Sequence, residues 1–141
     1  MNQSKLAKEL DDIMEAGLQD IYFPYAKGNS IRLKNTVIRR TKQGYLVFDV
    51  KNSKRIAETF SKRGAIAYAH AIAKNKPGRL DTILELDMKL GKHYMDSLFA
   101  KSTYEKSDDD VRKDSAIVRF DIAKDYTWHY ISQLVEYIFD D

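Results

Sequence analysis

The sequence predicts an α+β fold: an N-terminal helix, a small antiparallel meander covered by one helix, and a C-terminal antiparallel helical hairpin. Three observations predict it. Apolar residues recur at helical spacing near the N-terminus, the period changes to two between Ser30 and Phe60, and helical spacing then returns to the end of the chain. With 141 residues and 43% apolar content there is enough apolar material for one core. The chain divides into an amphipathic segment (1–20), a basic sheet-plus-helix module (21–76) and an acidic helical hairpin (77–141), read together as one compact domain.

Leu6, Leu10, Ile13, Met14 and Leu18 place a helix over 4–17 with Ser4 as its N-cap. Ile21–Tyr25 reads as a connector or short strand, and Pro24 confines it to an edge. From Ser30, Ile31 and Leu33 alternate with Arg32 and Lys34, and Thr36–Thr41 is rich in β-branched residues. Lys42-Gln43-Gly44 is a turn, Tyr45–Val50 the strongest strand, Lys51-Asn52-Ser53 a second turn, and Arg55–Phe60 completes the meander. Ser61 can cap a helix running through Asn75, whose Ala65, Ile66, Tyr68, Ala69, Ile72 and Ala73 form a wide stripe that covers the sheet. After Pro77-Gly78, Leu80, Ile83, Leu84, Leu90, Tyr94 and Leu98 mark a helix of about seven turns. Ser107 or Asp108 can cap the last helix, whose expected core stripe is Val111, Val118, Ile122, Tyr126, Leu134 and Ile138.

Charge is segregated along this frame. Residues 26–64 hold eleven Lys/Arg against Asp49 and Glu58, a net +9, whereas residues 79–141 hold nine basic and fourteen acidic residues, a net −5. A compact cationic stretch points to an anionic partner, and phosphate is the commonest. Zero cysteines excludes a disulfide framework, a thiolate zinc site and a cysteine nucleophile. No apolar run approaches the roughly 18 residues of a membrane span. The opening Met-Asn-Gln-Ser-Lys leads into an acidic amphipathic stretch rather than a signal peptide, so the expectation is a soluble, intracellular protein.

The expected nucleic-acid contacts are Arg32, Lys34, Arg39, Arg40, Lys42, Lys51, Lys54 and Arg55, with Tyr45 as a stacking or packing aromatic. Basic side chains neutralise phosphates and release counterions, and the arginine fork can also read guanine edges. Alternation puts Leu46, Phe48 and Val50 on one face and Tyr45, Val47 and Asp49 on the other. Either Val37 or Ile38 can point inward, so Arg39 and Arg40 cannot both face one partner in a regular strand. The competing reading is that these cations are solvated strand and turn residues that keep sheets apart, or that they meet an acidic protein surface.

The last helix is crowded with Tyr126, Trp128, Tyr130, Tyr137 and Phe139, which cannot all face one neighbouring helix. Either they pack inside the fold, or Tyr126, Trp128, Tyr130 and Tyr137 form an interface for a homo-oligomer or a larger assembly. Catalysis has little support. His93 and Asp96 stand three apart on a helix but lack a third ligand, and His70 and His129 lie among apolar neighbours. Asp108-Asp109-Asp110 diverge by about 100° each on a helix. No phosphate-cradling glycine loop or nucleophile elbow is present.

Two resemblances rest on particular runs. The order of elements over Asn35–Lys76 and the run Phe60-Ser61-Lys62-Arg63-Gly64-Ala65-Ile66-Ala67-Tyr68-Ala69 resemble the three-stranded-sheet-plus-helix modules of plant ethylene-response-type DNA-binding domains and of tyrosine-recombinase arm-binding domains. That resemblance is architectural and implies a sheet face entering a major groove; the plant family's tryptophan and arginine pattern is missing here. Over nearly its full length, through Gly28-Asn29-Ser30-Ile31-Arg32-Leu33-Lys34-Asn35 and Lys42-Gln43-Gly44-Tyr45-Leu46-Val47-Phe48-Asp49, the chain is similar to small uncharacterised proteins of marine contractile-tailed phages. This implies a viral origin and supplies no catalytic residues.

The functional expectation is a non-enzymatic, cofactor-free phage-type accessory protein. It would bind nucleic acid, or a nucleic-acid-associated protein machine, in the host cytoplasm and away from membranes. The alternative is a virion structural or assembly protein whose basic sheet and helices make subunit contacts.

Overall fold

The computed structural model describes residues 30–140, so the expected helix over 4–17 and the connector at Ile21–Tyr25 lie outside the described residues. Strands β1 (Ser30–Leu33), β2 (Thr36–Arg40), β3 (Tyr45–Asp49) and β4 (Lys54–Thr59) pair antiparallel in chain order as a meander. The register aligns Ile31 with Ile38, Ile38 with Val47, and Val47 with Ala57. Ile31, Ile38 and Val47 are at most 5% exposed, so this row marks the covered face, and Ile38 rather than Val37 is the inward residue of β2. A register shift beside Val47 and Phe48 pairs Phe48 with Arg55 and leaves Ile56 as an extra residue on β4. Ile56 and Ala57 both pack against the core.

The two turns after β2 and β3 are built by side chains that replace backbone partners. Thr41 Oγ1 accepts from the amides of Gln43 and Gly44, at 3.3 and 3.1 Å. Asp49 Oδ1 accepts from Lys51 N at 3.0 Å, and Oδ2 from Asn52 Nδ2 at 2.7 Å. Asp49, one of two acids in the basic segment, is thereby committed to its turn.

Helix α1 (Lys62–Ala73) starts at Ser61 as expected, with Ser61 Oγ accepting from Gly64 N at 2.9 Å. It ends at Ala73 rather than Asn75. Asn75 takes a left-handed conformation (φ 56°), Asn75 N donates to Ile72 O, and Lys76 N donates to Ala71 O. This pair of bonds is the Schellman stop. Residues Arg63–Ala69 are all buried. A helix buried on every side lies inside a protein rather than on it, and α1 contacts all four strands on one side and both later helices on the other. The layers are therefore sheet, α1, hairpin.

The hairpin comprises α2 (Leu80–Lys106), entered through a 3-10 turn at Pro77–Arg79, and α3 (Asp110–Phe139). Ser97 and Ala100 on α2 and Ala116, Ala123 and Thr127 on α3 are all buried, while Gly91 on α2 makes room for the Phe60 side chain instead. Their small side chains let the helices approach closely. The buried hydroxyls bond back along their own helices, Thr127 Oγ1 to Ala123 O at 2.7 Å and Ser97 Oγ to His93 O at 3.1 Å. The cap of α3 is Asp109, whose Oδ1 accepts from Val111 N at 2.9 Å, in place of the expected Ser107 or Asp108.

The expected core stripe of α3 holds at Leu134 and Ile138 and is corrected at its other four positions. Phe120, Ile131, Leu134 and Ile138 with Ala116, Ala123 and Thr127 form the inward face, whereas Val111, Val118, Ile122 and Tyr126 are 50–75% exposed. Two apolar stripes run along this helix about half a turn apart. The one carrying small residues won the interior because it admits a closely packed partner.

Cations hold the end of α3. Lys74 Nζ donates to Ile138 O at 3.0 Å and also to Asp140 O, and Arg79 bonds Asp140 Oδ2 at 2.7 Å while lying over the Tyr137 ring. Positive charge at a helix C-terminus opposes the negative end of its dipole.

Candidate nucleic-acid interface

Among the described residues no element covers the side of the sheet away from α1, here called the open face, and alternation and register fix which side chains it carries. Ser30, Arg39, Leu46 and Glu58 form one cross-strand row, and Arg32, Val37, Phe48 and Arg55 the next. Both rows face away from α1, because their neighbours Ile31, Ile38 and Val47 face toward it. The open face thus carries Arg32, Arg39 and Arg55 around a half-buried apolar centre of Val37, Leu46 and Phe48.

Each arginine keeps donors to spare. Arg32 Nε donates to Lys34 O at 3.0 Å, which leaves its two terminal amino groups. Arg55 pairs with Glu58 at 2.9 Å, with side chains 66% and 65% exposed, and such an exposed pair is weak and readily exchanged for a phosphate. Arg39 is exposed, directly opposite Leu46.

The other expected contacts lie elsewhere. Arg40 pairs with Tyr45 in the row on the α1 side, exposed at the end of its strand. Tyr45 packs against the core, so of its two expected roles the structure places it in the packing one. Lys34, in the β1–β2 turn with φ 53°, donates from Nζ to Ala73 O at 3.2 Å and so caps the C-terminus of α1. Lys42 is exposed in the β2–β3 turn, and Lys51 and Lys54 are exposed about the β3–β4 turn, at the rim of the sheet.

Val37, Leu46 and Phe48 are the residues that sequence reasoning missed. Their apolar character reads as core, yet alternation alone had put Leu46 and Phe48 together opposite Val47. The available signal was that Val47 must pair with Ile38 for both to be buried, which turns Phe48 outward with Arg39.

The expected aromatic interface divides into separate places. Tyr126 is 50% exposed and stacks on His93 with ring centroids 4.7 Å apart. Tyr130 is half-buried against the same ring at 5.6 Å, and Tyr137 lies beneath Arg79. Trp128, two residues from Tyr126, points about 160° away from it around the helix. These four side chains do not make one surface.

His93 and Asp96 do share an open cleft of about 260 Å³ with Arg119, Ile122, Ala123 and Tyr126. A guanidinium in that lining opposes a metal cation, and among the described residues no three His, Cys, Asp or Glu side chains converge. Burial, reinforced by the Lys74 charge, lowers the His70 pKa. Burial raises the Asp87 carboxyl and lowers Arg63, but neither group lies on the open sheet face. No described helix is long and apolar enough to cross a membrane. Comparison with protein-family models, with curated proteins and with solved structures finds no match to this chain.

Proposed function

We propose that the protein is a non-enzymatic accessory factor that binds nucleic acid through the open face of its sheet, in the host cytoplasm as its resemblance to phage proteins implies. One observation carries the reading: antiparallel register gathers Arg32, Arg39 and Arg55 around Phe48, Leu46 and Val37 on the face that α1 leaves open. Arginines there neutralise phosphates and release counterions, while the Phe48 ring offers an apolar platform for a base or a thymine methyl. Four strands spaced about 4.8 Å apart span roughly 14 Å, slightly more than the roughly 12 Å major groove. The central β2–β3 ribbon is the part narrow enough to enter a duplex.

A fluorescence-anisotropy titration against duplex and single-stranded DNA over a salt series tests this. The slope of log affinity against log salt on duplex should lie between about −2.7, for three arginines, and about −5.4 when Lys42, Lys51 and Lys54 also contribute. A flat salt response, or no binding to either form, overturns it. The second reading, a virion structural or assembly protein, is favoured by the exposed apolar side chains of the hairpin. It predicts many copies of the chain in the mass spectrum of purified particles.

A further inference from the structure

The charge on the open face is uneven. Its two cross-strand rows each run from β1 to β4, Arg32, Val37, Phe48 and Arg55 in one and Ser30, Arg39, Leu46 and Glu58 in the other. Val37, Leu46 and Phe48 are half-buried while the three arginines are exposed, so an apolar floor lies below the guanidiniums that border it. On the β1–β2 side Arg32 and Arg39 stand one in each row, with no acid in either row on those strands. On the β4 side Arg55 and Glu58 are paired at 2.9 Å and their charges cancel.

We propose that the ligand of this face is single-stranded DNA, with Arg32 and Arg39 holding one sugar-phosphate backbone and successive bases laid on Phe48 and Leu46. The inference rests on the nucleic-acid reading of the open face and names the form of the ligand. A duplex groove presents two backbones, one at each wall, and is matched by cations on both sides of a face; here only one side is cationic. Depth points the same way. Base edges of a duplex lie about 8.5 Å below the rim of a major groove about 12 Å wide. The β2–β3 ribbon, though narrow enough by itself, is hydrogen-bonded to β1 and β4 and descends only with them, a sheet of roughly 14 Å. Such a sheet rests on the phosphates of a duplex and leaves its floor short of the bases. An unpaired base lies flat on that floor.

The spacing suits a strand of nucleotides. Leu46 and Phe48 are two residues apart on β3, about 6.8 Å, and each has an arginine in its own row on the same side. Arg39 is directly opposite Leu46, and Arg32 lies beyond Val37 from Phe48. A backbone running along the β1–β2 side therefore meets one guanidinium and one apolar platform per base. The base edges then point to β4, where Arg55 donates and Glu58 accepts, the two roles a Watson–Crick edge needs. On β1 and β2 the rows carry no carboxylate or carboxamide to recognise a ribose 2′-hydroxyl, which favours DNA over RNA.

The test is fluorescence anisotropy of the whole chain, in one salt, with a labelled single-stranded DNA of about 12 nucleotides, its blunt duplex and the RNA of the same sequence. The single strand should bind about tenfold or more tighter than the duplex. Charge cannot produce that order, because the duplex has the denser phosphates. Phe48→Ala should weaken the single strand about tenfold and the duplex less than about threefold. Phe48→Trp should keep binding and have its fluorescence quenched by the single strand, against the wild-type Trp128 signal as background. If circular dichroism shows that Phe48→Ala loses the sheet, the quenching of Phe48→Trp decides. Binding to none of the three probes overturns the nucleic-acid reading itself. A duplex bound as tightly as the single strand overturns the single-strand inference and leaves that reading standing. A folded Phe48→Ala within about twofold of wild type on the single strand, or no quenching, overturns the stacking platform. RNA bound more tightly than DNA overturns the choice of sugar.

Discussion

Asp87 on α2 accepts two hydrogen bonds from Ser61 at the start of α1, through Oδ1 to Ser61 N at 2.9 Å and to Ser61 Oγ at 2.6 Å. Its other oxygen accepts from Phe60 N at 2.7 Å. Ser61 Oγ in turn accepts from Gly64 N, so a single carboxylate on the hairpin ties down both the end of β4 and the N-terminal turn of α1. Gly64 permits the approach, because a Cβ there would collide with the Asp87 carboxyl. The corner where sheet becomes helix is thereby fixed to the hairpin, and this fixes which sheet face stays open.

Asp87→Ala should destabilise the fold by about 3 kcal/mol or more, because it strands two buried amides and a hydroxyl. Asp87→Asn should cost less, about 1–3 kcal/mol, since the amide keeps one acceptor but turns a donor toward Phe60 N or Ser61. Urea denaturation of the two variants checks the order. An Asn variant less stable than the Ala variant would show that the hydrogen bonds do not dominate the corner.

The Asp87 carboxyl should titrate above the usual carboxylate value of about 3.9. Burial raises it, and the bonds from Ser61 and Phe60 pull the other way without cancelling the effect. A carboxyl raised in the folded state holds its proton more tightly there than in the unfolded chain. Its contribution to stability is therefore full below the ordinary value and is lost as pH rises through the raised one. Carbon-detected NMR of the side chain measures the midpoint directly, and a value below the ordinary one would contradict this.

Neighbouring residues of β2 should behave oppositely. Ile38 is 2% exposed in the covered row, so Ile38→Ala should cost about 2–5 kcal/mol. Val37 faces outward opposite Phe48, so Val37→Ala should cost under about 1 kcal/mol while weakening DNA binding. Thermal melts paired with binding titrations read both effects, and an inverted order of stability would show that the sheet is turned over.

Much of this fold was legible because period and punctuation agree. The change to a period of two at Ser30, the turn residues at Lys42-Gln43-Gly44 and Lys51-Asn52-Ser53, the Ser61 cap and the break at Pro77-Gly78 each correspond to an observed boundary within a few residues. What failed was the choice between two apolar faces on one element. On α3, volume misled: Val111, Val118, Ile122 and Tyr126 are larger than Ala116, Ala123 and Thr127, yet close helix packing selects the small residues. On β2 and β3 the sequence offers two faces that are both partly apolar, and only cross-strand register distinguishes them. The candidate site inherited that ambiguity. Lys34 and Tyr45 were drawn into α1 capping and core packing, and Phe48 came outward in their place.

Arg39 and Arg40 give the most direct test of the open-face account. They are adjacent, carry the same charge, are both exposed and point to opposite sides of one strand. Arg39→Glu and Arg40→Glu therefore change the net charge of the protein equally and differ only in the face they alter. The measurement is affinity for the same DNA in the same salt, with circular dichroism confirming the sheet in each variant. Arg39→Glu should weaken binding about tenfold or more, and Arg40→Glu should weaken it less than about threefold. Equal losses for the two variants would mean that binding follows overall charge rather than the open sheet face, and would contradict the account.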